Sequence, residues 1–523
     1  MSQNFQRIAN LPPEKLALFF TRLKGESVET TPDQVTPRGK GNHLIPLSFA
    51  QQRLWFIDQL DPNTPAYNMP APVRFTGPMN LPVLDRSLQE IVRRHEALRT
   101  TFEAVKGQPV QIIARELKLS IPLIDLCSLS QSERMAEARR LTSEDGMKPF
   151  DLTKGPLLRV TLLRLGEQDH AILLTMHHII TDGWSIGVFF RELRVLYQAY
   201  LAGDPSPLPE LTIHYPDYAM WQRQWLRKGA MKQQLAYWQK QLAGAPAVLE
   251  LPMNHPRPAV QSSRGMLIPL VIPRDLTVAL KYMSRREGVT LFMNMVAAFQ
   301  ALLHCYTASL DIAVGTNVAN RSHQQMESLI GFFINQLVLR TDLSGNPTFR
   351  ELLVRVRNVA LGAYANQDVP FEKVVDALKP ERSLAQQPLF QFKIDLQNAP
   401  VSSLHLPGFT LSPLDIDITV THTDLTLSML DSGNLITGFI QYSTDLSESS
   451  TIERMLDHYR MILKRVVTEP QVHLTTLKSM IAEADAQHRT TKEEEYKDFR
   501  LLKLKNIQRR VLSGNSIPRQ DGS

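Results

Sequence analysis

The stretch MHHIITDGWS, residues 176–185, gathers the residue types most able to do chemistry. His177 and His178 stand side by side, and Asp182, Gly183 and Ser185 follow. Three readings compete: a metal site, a general base, and two satisfied histidines at a strand end. Successive strand residues point to opposite faces, so a strand through both histidines makes the imidazoles diverge. With no further His or Cys nearby, that argues against a shared metal ion. A neutral imidazole is a competent base near pH 7. Asp182, in a loop before a helix, can hold that loop by pairing with an arginine or with backbone N–H groups. Gly183 permits backbone conformations that other residues resist and leaves room for a substrate. Ser185 can cap the helix that follows.

Periodicity shows which elements must position these groups. LLRVTLLRL, a turn at 166–169 and HAILLTMHHII read as a hairpin. SIGVFFRELRVLYQAYLAG has helical period, with Ile186, Phe189, Phe190, Leu193 and Leu196 on one side. The motif therefore sits between a strand and a helix. LSFAQQRLWFIDQL and LDRSLQEIVRRHEALRTTF predict two earlier helices. Pro205, Pro207, Pro209 and Pro216 mark a crossover. Beyond it, LFMNMVAAFQALLHCYTA predicts a helix and DIAVGTNVA a strand. The expected organisation is an N-terminal helix and linker over 1–43, lobes over 44–222 and 223–480, and a tail over 481–523. Within the first and last of these, EKLALFFTRLK reads as a short amphipathic helix and KEEEYKDFRLLKLKNIQRR as a helix that turns from acidic to basic, and the polar chain end is expected to be disordered.

Composition narrows the function classes. Hydrophobic residues make up 43% and charged residues 21% of 523, the balance of a globular protein with more than one core. Cys127 and Cys305 are the two cysteines; they exclude a zinc ribbon and a disulfide framework and fit a reducing cytosol. No N-terminal apolar region resembles a signal peptide, and no apolar run nears the ~18 residues that would span a membrane. The net charge of +6 is spread along the chain, which suits solubility and gives no reason to expect nucleic acid as a partner.

His177, His178, Asp182, Gly183, Trp184 and Ser185 match the H-H-x-x-x-D-G signature of nonribosomal peptide synthetase condensation domains. Further segments agree in order. Ser48, Ala50, Gln51, Arg53, Leu54 and Trp55 match the first helix motif, and RHEALRTTF, from Arg94 to Phe102, the second. Tyr215, Asp217, Tyr218, Ala219 and Trp221 match the crossover motif. Ile330, Gly331, Phe333, Ile334 and Asn335 match IGFFIN, and QDVPFE from Gln367 to Glu372 matches another. The chain resembles that family over about residues 44 to 475. It departs at ERSLAQQPLF, which keeps Pro388 and Leu389 but lacks the usual S-R-N, and at Gln336, where threonine is usual.

The resemblance implies an α/β (α+β) fold of two chloramphenicol-acetyltransferase-like lobes, a V-shaped pseudodimer with a central tunnel. It implies amide formation between a carrier-bound acyl or peptidyl thioester and the amine of a carrier-bound aminoacyl group. His178 is then the catalytic histidine, as base or as positioning group. Asp182 holds the loop, with Arg321 the candidate partner and Arg99 a second structural arginine. Asn335 and Ser185 are candidates for the tunnel lining. No cofactor or metal is expected to bind directly, because phosphopantetheine arms of donor and acceptor carrier proteins deliver the substrates. Taken as a complete protein, the chain has no carrier serine motif and no room for an adenylation domain, so a cytoplasmic monomer is then expected to meet carriers and adenylation or other modules in trans, with EKLALFFTRLK and the tail helix as docking candidates; a solvated linker, or a piece of a larger synthetase, is the equal alternative. Within the resemblance, Trp184-Ser185 and RHEALRTTF argue against an epimerisation domain, and the two histidines against a heterocyclisation domain. A starter domain taking a fatty acyl group stays open. So does an idle interface module that recruits a tailoring enzyme to a carrier.

Overall fold

The computed structural model describes residues 34–39 and 44–490, except 227–228, 230, 247, 382, 384, 398–408 and 415–418. The helices expected at 14–24 and beyond 490 lie outside the described residues.

The first half carries β1 (Ile45–Pro46), β2 (Asn68–Pro70), β3 (Val73–Thr76), β4 (Thr100–Val105), β5 (Gln108–Ile113), β6 (Leu123–Asp125), β7 (Leu158–Gly166) and β8 (Asp169–His177). Its helices are α1 (Phe49–Leu60), α2 (Leu81–Arg94), α3 (Gln131–Met147), α4 (Gly183–Ala202) and α5 (Tyr215–Trp225). Strand β8 pairs with β7 as the expected hairpin, Ile172 opposite Leu162. It is central, with helices over both faces. Ile172, Leu174 and Met176 pack into a core with Leu88 of α2 and Phe189 and Leu193 of α4. Ala171 and Leu173 pack on the other side with Ala138 of α3. A strand buried on both faces needs a continuous apolar run, and HAILLTM supplies one.

The second half carries β9 (Arg264–Ile272), β10 (Asp311–Val318), β11 (Asn335–Asp342), β12 (Phe392–Gln397), β13 (Thr410–Pro413), β14 (Thr419–Val420), β15 (Leu425–Asp431) and β16 (Ile436–Ser443). Helices α6 (Met231–Gln241), α7 (Arg274–Arg286), α8 (Leu291–Thr307), α9 (Phe349–Ala365), α10 (Phe371–Leu378) and α11 (Ser449–Thr468) accompany them. A mixed sheet runs in the order β11-β10-β12-β15-β16-β9-β14. Helix α8 is apolar on nearly every side because it is buried from Phe292 to His304. Among the described residues no single helix is long and apolar enough to cross a membrane.

The halves are stitched together. Strand β13 leaves the second half and pairs with β3, Leu411 opposite Phe75. Met326, Leu329, Ile330, Phe332 and Phe333 belong to the first half's core. The stitching bears directly on the site, because the 326–334 segment packs against the histidine loop.

Candidate active site

Strand β8 stops at His177, and His178 opens a single 3-10 turn to Ile180. This corrects the expectation of a strand through both histidines. The His177 side chain closes the turn, its Nδ1 accepting the Ile179 N–H at 3.1 Å. That ring is buried between Tyr67 and Phe150. Burial, with a smaller push from His178, drives its pKa from 6.5 to about 3. His177 is therefore a neutral structural imidazole.

His178 is set differently. Its backbone N–H donates to the Tyr67 carbonyl at 2.8 Å. Its Nδ1 lies 2.8 Å from the Thr181 carbonyl, which can only accept, so Nδ1 carries the proton. Nε2 is left with a lone pair and no partner among the described residues. The ring leans on Phe332 at 4.6 Å and forms part of a cavity of about 250 Å³. Burial lowers its pKa below 6.5, against smaller raising effects from Thr181 and Asp182. At neutral pH the group facing the cavity is thus a free base.

Asp182 does not face that cavity. It caps α4, and Oδ1 accepts from the Ser185 N–H and from Ser185 Oγ, each at 2.8 Å. Oδ2 accepts the Phe333 N–H at 3.0 Å. Arg321 Nη2 reaches Oδ1 at 3.2 Å, with both side chains almost wholly buried. Arg321 also donates to the Met326 and Leu329 carbonyls and lies over the Phe333 ring at 4.1 Å. The lock thus ties the loop after His178 to the 326–334 segment. Each buried charge meets an opposite charge and further hydrogen bonds, the condition under which such a pair is tolerated.

The other expected residues divide. Trp184 donates its indole N–H to the Glu327 carbonyl at 2.9 Å. Ser185 is not on the cavity wall, because Gly331 and Arg321 as well as Asp182 engage its hydroxyl. Asn335 does line the cavity; its amide donates to the Gln367 and Val369 carbonyls and accepts the Phe371 N–H, pinning QDVPFE against β11. Arg99 is not brought to the site: it donates to the Ala114 carbonyl and lies 3.7 Å from Glu96, where it holds the start of β4. Gly183 has no left-handed backbone and is not on the cavity wall. It is the first residue of α4, where ordinary helical geometry suffices, and an added Cβ meets nothing within 4 Å. Gly331 is the glycine that close approach requires, since a Cβ there would lie 1.9 Å from the Tyr215 ring.

Several wall residues carried no signal in the motifs. Tyr67, His422, Lys393, Asp395 and Asn317 line the cavity. His422 stacks on Tyr67 at 4.9 Å, and its Nε2 lies 3.2 Å from the Ala66 carbonyl. Enclosure pushes its pKa down to about 4. Arg53 of α1 meets Glu372 of α10 at 3.3 Å and Gln336 at 3.4 Å. The glutamine that departs from the usual threonine thus touches the first helix motif.

The buried His177 gives a stability prediction. Its folded pKa is below the unfolded value, so between about pH 6.5 and 3 the unfolded chain binds the extra proton. Stability falls as pH falls through that window, by about 1.4 kcal/mol per pH unit from this group. Urea unfolding at pH 7.5, 6.0 and 5.0 should show the slope. His177→Asn, whose side-chain oxygen can accept the Ile179 N–H, should flatten it; an unchanged slope would assign the acid lability elsewhere.

Comparison with known proteins places this geometry. A family model described as the condensation domain matches residues 42–488. One component of the linear gramicidin synthase of Brevibacillus parabrevis is 48% identical over 448 residues, 85% of this chain and 9% of that protein. A second component of the same synthase is 46% identical over 449 residues, 86% of this chain and 9% of that one. The chain thus spans about a tenth of the length of these relatives. Among solved structures, the X-domain in its complex with OxyB from teicoplanin biosynthesis superposes with a TM-score of 0.75 at 26% identity, over 86% of this chain and 98% of the X-domain. The mixed α/β architecture of both halves is the chloramphenicol-acetyltransferase-like fold that these neighbours have.

Proposed function

The chain belongs to the condensation-domain family of nonribosomal peptide synthetases, and from that premise we propose that its cavity forms an amide bond between two carrier-bound substrates. The acceptor's α-amine attacks the donor thioester carbonyl. The C–N bond forms, the C–S bond breaks, and the leaving pantetheine thiolate takes up the proton that the amine loses. His178 acts on the attacking amine. The observation that carries this reading is its free Nε2 lone pair, held at the cavity by the Nδ1 contact to Thr181. An unprotonated amine is already a good nucleophile, so orientation supplies much of the effect, and proton transfer the rest. Phosphopantetheine arms deliver both substrates from donor and acceptor carrier proteins.

A donor panel tests the proposal. L-aminoacyl, D-aminoacyl and fatty acyl pantetheine thioesters are offered with an aminoacyl-pantetheine acceptor, and products are read by mass. Amide from an L-aminoacyl donor supports peptide bond formation, whereas amide from the fatty acyl donor alone would make the chain a starter domain. The likeness to the X-domain supports a second reading, an interface module. Absence of amide from every donor, with carrier-dependent retention of another enzyme, would favour it.

Gly183 provides a further test. The space ahead of its Cα is open, so Gly183→Val should fold normally. If the acceptor arm uses that space, transfer to a carrier-bound acceptor should fall at least about tenfold through misplacement. Unaltered transfer by the folded variant would show that the arm passes elsewhere.

A further inference from the structure

The wall that the second sheet gives the cavity is polar, and strand register explains how. On β12, Phe392 and Ile394 enter the apolar core, while Lys393 and Asp395 turn to the cavity. Lys393 stands opposite Thr426, Thr426 opposite Gln441, and Asp395 opposite Ser428. All five line the cavity. A polar sheet face is ordinary toward bulk water. This one is roofed by the first half, so its groups need partners inside the cavity.

Asp395 has its partners in the protein. Its carboxylate accepts the Asn317 N–H at 2.8 Å, Asn317 Nδ2 at 3.2 Å and Thr316 Oγ1 at 3.4 Å. Strands β10 and β12 share one register pair, Gly315 with Lys393. The carboxylate therefore joins the two strands where their ladder ends. Lys393 has no comparable structural task. Its ammonium lies 3.2 Å from Asp395 and carries three N–H donors, so donors remain for the cavity. Thr426 Oγ1 lies 2.6 Å from Thr423 and the Gln441 N–H donates to Val420, and among the described residues neither side chain accepts from the Lys393 ammonium. Arg53 brings a second cation from the first half, beside Glu372. Lys393 and Arg53 both disfavour protonation of His422. The carboxylates of the wall are occupied or, at Asp368, pushed by burial toward the neutral acid. Beyond its contact with Asp395, Lys393 thus offers the cavity N–H donors that no described residue takes up.

We propose that Lys393 selects a substrate whose aminoacyl side chain ends in a carboxylate, of the aspartyl or glutamyl type. The proposal rests on the amide-forming reading of the same cavity. It is tested in two arms, in the wild-type chain and in Lys393→Met and Lys393→Gln. Calorimetry with unreactive amide-linked aspartyl- and asparaginyl-pantetheine measures recognition without turnover. Product mass with aspartyl, asparaginyl and leucyl groups, each loaded in turn as donor and as acceptor, measures selectivity in the reaction. The wild type should prefer the carboxylate over its amide by about tenfold or more, as a charge-assisted hydrogen bond allows, and both variants should bring the ratio within about twofold. Equal treatment of acid and amide by the wild type, or a preference that survives both substitutions, overturns the proposal. A carboxylate preference in binding with no amide from any pair would keep the pocket and overturn the amide-forming reading instead.

Discussion

His178→Ala should retain the fold and lower amide formation by roughly 10²-fold or more, the loss expected for an acid–base or orienting group. The substitution removes a ring that opens on the cavity and whose one hydrogen bond among the described residues goes to the Thr181 carbonyl, so stability should change little compared with rate. His177→Ala should do the reverse, since its ring is buried and closes the turn through Ile179. The pH dependence separates a base from a spectator. Burial keeps His178 neutral below its ordinary value of 6.5, so the acid limb due to this group lies below 6.5. Chemical shifts of the ring nitrogens would report that titration directly. A folded His178→Ala chain with near-normal turnover would remove the residue from the mechanism.

The second large effect concerns the Asp182–Arg321 lock. Asp182→Asn leaves the Arg321 guanidinium buried without its counter-charge, and Arg321→Met leaves the carboxylate in the same position. Breaking a buried pair on one side costs about 3–5 kcal/mol, so each single variant should be strongly destabilised in urea. The double variant Asp182→Asn/Arg321→Met removes both charges and should lose much less than the sum of the singles. Activity should track stability, because Asp182 also fixes the Phe333 N–H and the helix that follows the His178 loop. Fully additive losses would show that the two side chains do not act as a unit.

Half of the lock was legible in a motif: Asp182 lies in the histidine stretch, whereas Arg321 lies outside every matched motif and was expected only through the resemblance. His177, His178 and Asp182 share one stretch, and IGFFIN meets that stretch in space. The hairpin was legible from its apolar run and flanking turn, because β8 is buried on both faces, and α4 from its period, because it is buried on one. The end of β8 was not. A 3-10 turn at His178 depends on the His177 side chain accepting a backbone N–H, and apolar patterning carries no trace of that. Ser185 and Arg99 show the same limit. Residue type and motif membership placed them near the chemistry, but tertiary hydrogen bonds engage the Ser185 hydroxyl and hold Arg99 elsewhere. The polar cavity wall did leave a trace. In FKIDLQ, Lys393 and Asp395 alternate with apolar residues on a strand internal to its sheet, a pattern that marks a second face turned to something other than core.

The central claim is that the cavity around His178 transfers an acyl group from a thioester to an amine. A single-turnover reaction with donor and acceptor carrier proteins, each loaded with an aminoacyl group and read by intact mass, tests it most directly. The acceptor carrier should gain the mass of the donor acyl group while the donor carrier returns to its free thiol form, and His178→Ala should slow the gain by roughly 10²-fold. Carriers that bind the chain yet keep their original masses, across aspartyl, leucyl and fatty acyl donors, would contradict it.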